Sequence, residues 1–212
     1  MTNKGKIFYE GTPIEQAENA IVMLHGRGGS ASDILTLAPM LEAKNAAFIA
    51  PQAENNAWYP QSFLRPIDEN EPWLTAAIEL LDSIVSNIVQ TGIKKTNIFF
   101  VGFSQGACLS IEYFSRKGEK FGGIGALSGG LIGEYVEVSR YKTGLAATPV
   151  FLGSSDPDPY IPVERVRQTA RVVEDLGADV LLKIYTNMGH TITHDEIKLL
   201  NNHLFNRHKN NV

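Results

Sequence analysis

One segment of the chain combines a serine with the glycines that a nucleophilic serine requires around it. In Gly102-Phe103-Ser104-Gln105-Gly106, glycine stands two residues before and two residues after Ser104. A hydroxyl that is raised from the backbone at a sharp turn between a strand and a helix tolerates little side-chain bulk nearby, which accounts for both glycines. The backbone N–H of Gln105, at the start of the following helix, could stabilise the oxyanion formed by attack on a carbonyl carbon. The pattern therefore predicts that Ser104 is a nucleophile.

A serine nucleophile needs a general base, which is most often histidine, and the chain contains five histidines. His190 follows the last apolar run of the chain, so its side chain is expected at the carboxyl edge of a parallel sheet, beside Ser104. It is therefore the predicted base. Three histidines at or beyond the last predicted helix are expected to be uninvolved: His194, His203 and His208.

A carboxylate must fix the tautomer of that histidine, and two aspartates follow an apolar run at 149–153. We predict Asp156 as this acid because it is closer to the end of the expected strand, and Asp158 is the alternative. The resulting chain order, Ser104, Asp156, His190, is the order expected of α/β-hydrolases. It differs from the orders found in trypsin-like and subtilisin-like proteases.

A glycine-rich stretch supplies a candidate for the rest of the oxyanion site. His25-Gly26-Arg27-Gly28-Gly29 follows an apolar run at 20–24, which again places it at the carboxyl edge of the sheet. The backbone N–H of Arg27 is predicted to pair with that of Gln105 as a two-donor oxyanion hole. His25 is expected to brace this loop rather than to act as a base.

The same stretch can be interpreted as a dinucleotide-binding fingerprint, Gly26-x-Gly28-x-x-Ala31, which makes an oxidoreductase the main competing class. That fingerprint requires an acidic residue near the end of the next strand to hold the ribose. The apolar run at 46–50 instead continues into Pro51-Gln52, and the first acidic residue is Glu54. No lysine followed by serine or threonine comes after the glycines, which argues against a phosphate-binding loop. The sequence therefore favours the hydrolase.

Short apolar runs and helical segments alternate along the chain, and they must position these residues. This alternation is typical of a mostly parallel sheet that is covered by helices on both faces, so we predict an α/β fold with about seven strands. The predicted strands are 7–9, 20–24, 46–50, 98–103, 123–127, 149–153 and 180–185. The predicted helices are 32–42, 73–89, 105–116, 163–176 and 194–205.

Two long stretches without a clear helix or strand pattern, 51–71 and 128–148, are candidates for loops that border the site. Arg65, together with Arg27, would favour an anionic group at the mouth of a pocket. Packing of the loop aromatics onto the sheet is an equally open alternative to substrate binding. The residues of the first loop that are predicted to bind substrate are Trp58, Tyr59, Phe63 and Arg65.

Composition and net charge limit the number of domains, the partners and the cofactors that the chain is expected to have. The 212 residues, of which 43% are apolar and 20% charged, are expected to form one domain, 1–212. A net charge of −4 argues against nucleic acid as a partner. A single cysteine, Cys108, and the lack of a signal peptide or a bilayer-spanning apolar run predict a cytoplasmic protein without stable membrane insertion. No cluster of cysteine and histidine indicates a metal, and no cofactor is expected.

The motifs together resemble the phospholipase/carboxylesterase group of α/β-hydrolases, which includes the acyl-protein thioesterases. Leu24–Gly28 is similar to the oxyanion loop of that family, Gly102–Ala107 to its serine turn and Gly189-His190 to its histidine turn. The resemblance implies the same three catalytic residues and two main-chain donors as above, no large cap domain and no cofactor. One departure is the long segment Asp156–Pro162, where thioesterases run almost directly from the acid to a Val-Pro pair, and here the chain is more similar to bacterial esterases.

The predicted function is hydrolysis of carboxylic esters or thioesters of small or medium acyl groups through an acyl-enzyme. The predicted partner is a small-molecule substrate, and the sequence leaves a homodimer open. A ligand-binding α/β-hydrolase homologue without turnover is the non-enzymatic alternative.

Overall fold

The computed structural model describes residues 6–206, and in this part of the chain seven strands form one sheet. The strands are β1 (Ile7–Gly11), β2 (Asn19–Leu24), β3 (Ala46–Pro51), β4 (Ile98–Phe103), β5 (Gly123–Leu127), β6 (Pro149–Asp156) and β7 (Asp179–Thr186). Their order across the sheet is β1-β3-β2-β4-β5-β6-β7. β1 runs antiparallel to β3, and the other neighbours pair in parallel. All seven predicted strands are present, and the predicted α/β class is confirmed.

Five α-helices occur within residues 6–206: α1 (Ala31–Leu35), α2 (Trp73–Gln90), α3 (Gln105–Lys117), α4 (Val163–Asp175) and α5 (His194–Leu204). The last four agree with prediction to within one residue at each end. The helix predicted at 32–42 is instead divided, because Pro39 has no N–H to continue an α-helix and a 3₁₀ turn follows at Ala38–Met40. None of the helices in this range is both long enough and apolar enough to cross a bilayer.

The helices cover both faces of the sheet. α2, α3 and α4 pack on one face, and α1 and α5 pack on the other. Along β2, Ala20, Val22 and Leu24 face the core beneath α2, α3 and α4. Ile21 and Met23 face the core beneath α1 and α5. Strands that are buried on both faces have continuous apolar sequences, which explains why the sequence located them.

The carboxyl ends of the parallel strands meet at one edge of the sheet, and β2, β4, β6 and β7 all deliver predicted site residues there. Leu24 at the end of β2 pairs with Gly102, near the end of β4. The long connections 52–72 and 128–148 contain only short 3₁₀ turns, so no inserted cap domain covers this edge within the described residues.

Candidate active site

Ser104 occupies the sharp turn between β4 and α3. Its backbone has φ 53° and ψ −118°, a conformation that L-residues seldom adopt. Its N–H donates to the carbonyl of Leu127 at 2.9 Å. The flanking glycines are sterically required, because a Cβ on Gly102 would lie 2.5 Å from the carbonyl carbon of Gly106. A Cβ on Gly106 would lie 2.1 Å from the carbonyl oxygen of Leu24, so the tight turn tolerates only glycine at both positions.

His190 lies in the turn after β7, which brings it to Ser104. Gly189 adopts φ +79° in this turn, a left-handed conformation that suits glycine. The Nε2 atom of His190 lies 2.9 Å from Ser104 Oγ, which is a hydrogen-bonding distance. The imidazole packs between Phe103 and Tyr160, whose ring centroids lie 4.9 and 5.0 Å away. The structure therefore brings the predicted serine and histidine into contact.

Asp158 holds the other side of the imidazole. Its Oδ2 atom accepts a hydrogen bond from His190 Nδ1 at 2.8 Å. Its Oδ1 atom accepts from the backbone N–H groups of Tyr160 at 2.8 Å and Ile161 at 3.1 Å. The carboxylate side chain is 0% exposed. Because a carboxylate only accepts, this arrangement places the proton of the neutral imidazole on Nδ1 and leaves Nε2 free to accept from the Ser104 hydroxyl.

The prediction that Asp156 is the acid is wrong. β6 continues three residues beyond its predicted end at 153, since Ser154 and Ser155 are buried strand residues although they are polar. Asp156 is therefore the last residue of the strand, where it pairs with Thr186 and is exposed. Asp158 lies in the turn beyond it, and this turn directs its side chain onto the histidine.

The sequence does contain a signal for Asp158. With Asp158 as the acid, the pair Ile161-Pro162 follows after only two residues. The segment Asp156–Pro162 then comes closer to the thioesterase pattern, in which a Val-Pro pair follows the acid almost directly. The spacing counted backward from the proline therefore favours Asp158, the aspartate that contacts His190.

The two predicted oxyanion residues lie beside Ser104. Gln105 is the first residue of α3, so its N–H has no acceptor within the helix. A Cβ on Gly26 would lie 3.3 Å from the Cβ of Ser104, so the loop at 25–29 passes directly beside the serine. Arg27 and Gln105 both line the cavity that contains Ser104. Their role as main-chain donors to an oxyanion stays a prediction.

His25 braces the glycine-rich loop, as expected. The backbone N–H of Ala53 donates to His25 Nε2 at 3.1 Å, which leaves Nδ1 as the protonated nitrogen, 2.8 Å from the carbonyl of Gly26. Burial lowers the pKa of His25, although the hydrogen bond with Gly26 and the charge of Asp33 oppose this shift. Both ring nitrogens are occupied, so the imidazole links its loop to the segment after β3 instead of serving as a base.

A cavity of about 490 Å³ opens at Ser104. Two of the four residues predicted to bind substrate, Tyr59 and Phe63, line it. Tyr160 and Ile161 also line it, although the sequence did not indicate them, because they follow an aspartate that was not the predicted acid. Five of the twelve lining residues are aromatic or aliphatic, and this part of the wall suits an apolar acyl group.

The other two residues predicted to bind substrate do not line this cavity. Trp58 is buried behind it and donates from Nε1 to the carbonyl of His25 at 2.8 Å. Arg65 is exposed and forms a bidentate ion pair with Glu69. Trp58 is therefore a packing residue and Arg65 a surface charge, which corrects both predictions.

The second long loop, 128–148, is fixed by a buried carboxylate rather than lining the cavity. Glu112 of α3 is 0% exposed and accepts from Arg116 Nε and Arg140 Nη2, each at 2.7 Å. The hydroxyl of Tyr141 donates to the same carboxylate at 3.0 Å. The loop is thus bound to α3 by its own side chains, and this helix also carries the serine turn.

The remaining candidates take no part in this arrangement. Cys108 lines the cavity but is buried, and burial raises the pKa of its thiol to about 12, so it stays protonated. His194 is exposed, and His203 Nε2 lies 3.0 Å from the carbonyl oxygen of Asp179. His208 lies outside the described residues. Within residues 6–206, no group of three or more His, Cys, Asp or Glu side chains is arranged to hold a metal ion.

A mostly parallel seven-stranded sheet, with a strained serine after one strand and a histidine after the last, defines the α/β-hydrolase class. The sequence matches the model of the phospholipase/carboxylesterase family over residues 11–208. The crystal structure of a phospholipase/carboxylesterase from Dyadobacter fermentans is 45% identical, with a TM-score of 0.93 over 96% of this chain and 98% of that one.

Two curated relatives are more distant. Acyl-protein thioesterase 1 of Kluyveromyces lactis is 28% identical, over 87% of this chain and 90% of its own length. The carboxylesterase SOBER1 of Arabidopsis thaliana is 24% identical, over 87% of this chain and 88% of its own length. The chain therefore belongs to the phospholipase/carboxylesterase family, and it is a hydrolase that acts on esters or thioesters.

Proposed function

We propose that this chain cleaves carboxylic esters or thioesters through an acyl-enzyme on Ser104. The observation that carries the proposal is the continuous hydrogen-bonded chain from Asp158 through His190 to Ser104, with distances of 2.8 and 2.9 Å. A hydroxyl, an imidazole and a carboxylate in this order are the groups that activate a serine for acyl transfer.

In the first half of the reaction, Ser104 Oγ attacks the carbonyl carbon while His190 Nε2 accepts the hydroxyl proton. Asp158 stabilises the resulting imidazolium and keeps the ring oriented. The N–H groups of Arg27 and Gln105 stabilise the negative oxygen of the tetrahedral intermediate. When that intermediate collapses, the imidazolium gives its proton to the leaving alcohol or thiol, and the acyl group remains on Ser104.

In the second half, water takes the place of the alcohol or thiol. His190 Nε2 accepts a proton from the attacking water, and the same oxyanion donors stabilise the second tetrahedral intermediate. Its collapse returns the proton to Ser104 Oγ and releases the carboxylic acid. No cofactor takes part in this sequence of steps.

The cavity supports small or medium acyl groups. Its volume of about 490 Å³ lies toward the lower part of the range of roughly 300–1,000 Å³ that is usual for small-molecule sites. Tyr59, Phe63 and Ile161 supply apolar surface for the acyl chain. Ester and thioester substrates share this acyl group and differ only in the leaving atom.

Replacement of the nucleophile tests the proposal directly. With p-nitrophenyl acetate and butyrate as substrates, Ser104→Ala is expected to lower kcat by at least about 10³-fold, because no other group can form the acyl-enzyme. A fluorophosphonate should add mass only to the wild-type peptide that contains Ser104. Ser139→Ala, at an exposed serine outside the cavity, is the matched control and should keep wild-type rates. Wild-type turnover no faster than that of Ser104→Ala would favour the ligand-binding alternative.

A further inference from the structure

We infer that the side chains of Arg27 and Gln105 act together as a clamp on residues 58–61, and that this clamp fixes the separation of the two oxyanion donors. The inference rests on the proposed function, because it concerns the same two main-chain N–H groups. It assigns to the two side chains a positioning role that is separate from the role of their N–H groups.

The Gln105 side chain forms the first half of the clamp. Its Oε1 atom accepts from the backbone N–H of Trp58 at 2.9 Å, and its Nε2 atom donates to the carbonyl of Tyr59 at 2.8 Å. The side chain is buried, with 6% of the residue exposed. Both ends of the carboxamide are therefore engaged, which requires an acceptor and a donor on one side chain.

The Arg27 side chain forms the second half. Its Nη2 atom donates to the carbonyls of Tyr59, at 2.9 Å, and Gln61. Its Nη1 atom donates to the carbonyl of Pro60 at 2.7 Å. A planar guanidinium can reach three consecutive carbonyls in this way, and a lysine ammonium cannot match that geometry. These carbonyls are neutral and leave the charge of Arg27 in place, so its attraction for an anionic substrate group stays a prediction.

The carbonyl of Tyr59 is the shared anchor, since it accepts from both Arg27 and Gln105. Arg27 belongs to the loop after β2 and Gln105 to the start of α3, so residues 58–61 connect two separate elements. The loop after β2 is rich in glycine, and this connection holds it at Arg27, two residues beyond the point where His25 braces it. A displacement of about 1 Å can reduce catalysis by about 100-fold, so the connection matters for an oxyanion hole.

Side-chain substitutions test the clamp because they leave both N–H groups in place. Arg27→Met and Gln105→Leu are each expected to lower kcat for p-nitrophenyl acetate by about 10-fold, with KM changed by less than about 2-fold. The double variant should lose about 20-fold rather than about 100-fold, since both side chains act through one carbonyl. Arg27→Lys should recover part of the loss. Arg65→Met, at an exposed arginine outside the cavity, is the matched control and should stay within about 2-fold of wild type.

Amide hydrogen exchange gives a readout that does not depend on turnover. Peptides that cover residues 58–63 should exchange at least about 10-fold faster in Arg27→Met and Gln105→Leu than in wild type and Arg65→Met. Unchanged exchange, multiplicative losses in the double variant, or a raised KM with an unchanged kcat would each overturn the clamp. If the fluorophosphonate labels Ser104 but Arg27→Met and Gln105→Leu have wild-type kcat and wild-type exchange, the clamp alone is refuted. If both variants exchange faster at residues 58–63 but the wild-type protein shows no turnover, the clamp is supported and the hydrolase mechanism is refuted.

Discussion

The carboxylate of Asp158 is held from two sides, and this fixes the imidazole of His190. One oxygen accepts from the backbone N–H groups of Tyr160 and Ile161, and the other accepts from His190 Nδ1. The backbone bonds prevent the carboxylate from rotating away from the ring. The imidazole is therefore oriented by a buried charge that is itself fixed by the first residues of the following turn.

Asparagine at position 158 is expected to disturb this orientation more than any change at Asp156. Asp158→Asn can present an amide N–H to His190 Nδ1, which would move the imidazole proton to Nε2 and prevent it from accepting the Ser104 proton. We expect kcat for p-nitrophenyl butyrate to fall by about 10³ to 10⁴-fold. Asp156→Asn is the matched control, since it alters an exposed carboxylate at the end of β6, and kcat should change by less than about 3-fold. A larger loss in the control would restore Asp156 as the acid.

At the scale of elements, the sequence predicted the strands well because strands buried on both faces are apolar throughout. It misplaced the end of β6, since Ser154 and Ser155 are polar but buried, and hydropathy cannot reveal that. The sequence also could not show which of the neighbouring loop residues Trp58 and Tyr59 lines the cavity. An irregular segment has no period from which to infer side-chain direction, so only the fold shows that one lines the cavity and the other packs behind it.

The contact between the serine turn and β2 predicts a large cost for any side chain at Gly106. The Cβ in Gly106→Ala would lie 2.1 Å from the carbonyl oxygen of Leu24, and two backbones would have to separate to relieve it. Overpacking of this kind costs about 3 kcal/mol or more, which corresponds to a Tm decrease of roughly 6–12 °C for a chain of this length. Thermal unfolding followed by circular dichroism measures the decrease.

Gly92→Ala is the control for that substitution. Unlike Gly106, Gly92 has a positive φ, of +100°, but a Cβ there would meet nothing within 4 Å. It should therefore cost only about 1 kcal/mol, from backbone strain alone. Equal Tm decreases in the two variants would mean that the close approach to Leu24 is not what requires glycine at position 106.

At the scale of the whole molecule, two buried titratable groups oppose each other in their effect on stability. Burial lowers the pKa of His25, so the unfolded chain binds a proton that the folded chain does not, and stability falls as the pH decreases below 6.5. Burial raises the pKa of Glu196 from 4.5 to about 7, so the folded chain keeps a proton that the unfolded chain has lost. Stability therefore falls as the pH increases from 4.5 through 7. Between the lowered pKa of His25 and pH 6.5, the two slopes have opposite signs.

Glu196→Gln should separate these two contributions. Glu196 lies in the first turn of α5, where its Oε2 atom accepts from the N–H of Thr193, and glutamine can keep this capping bond. Its Oε1 atom is buried without a hydrogen-bond partner among residues 6–206, which favours the neutral form. The variant lacks the loss of stability above pH 4.5, so its unfolding free energy relative to wild type should increase by up to about 3 kcal/mol between pH 4.5 and pH 8. Urea unfolding at several pH values measures the difference, with the exposed Lys198→Gln as control, and parallel curves for wild type and Glu196→Gln would show that Glu196 ionises normally in the folded chain.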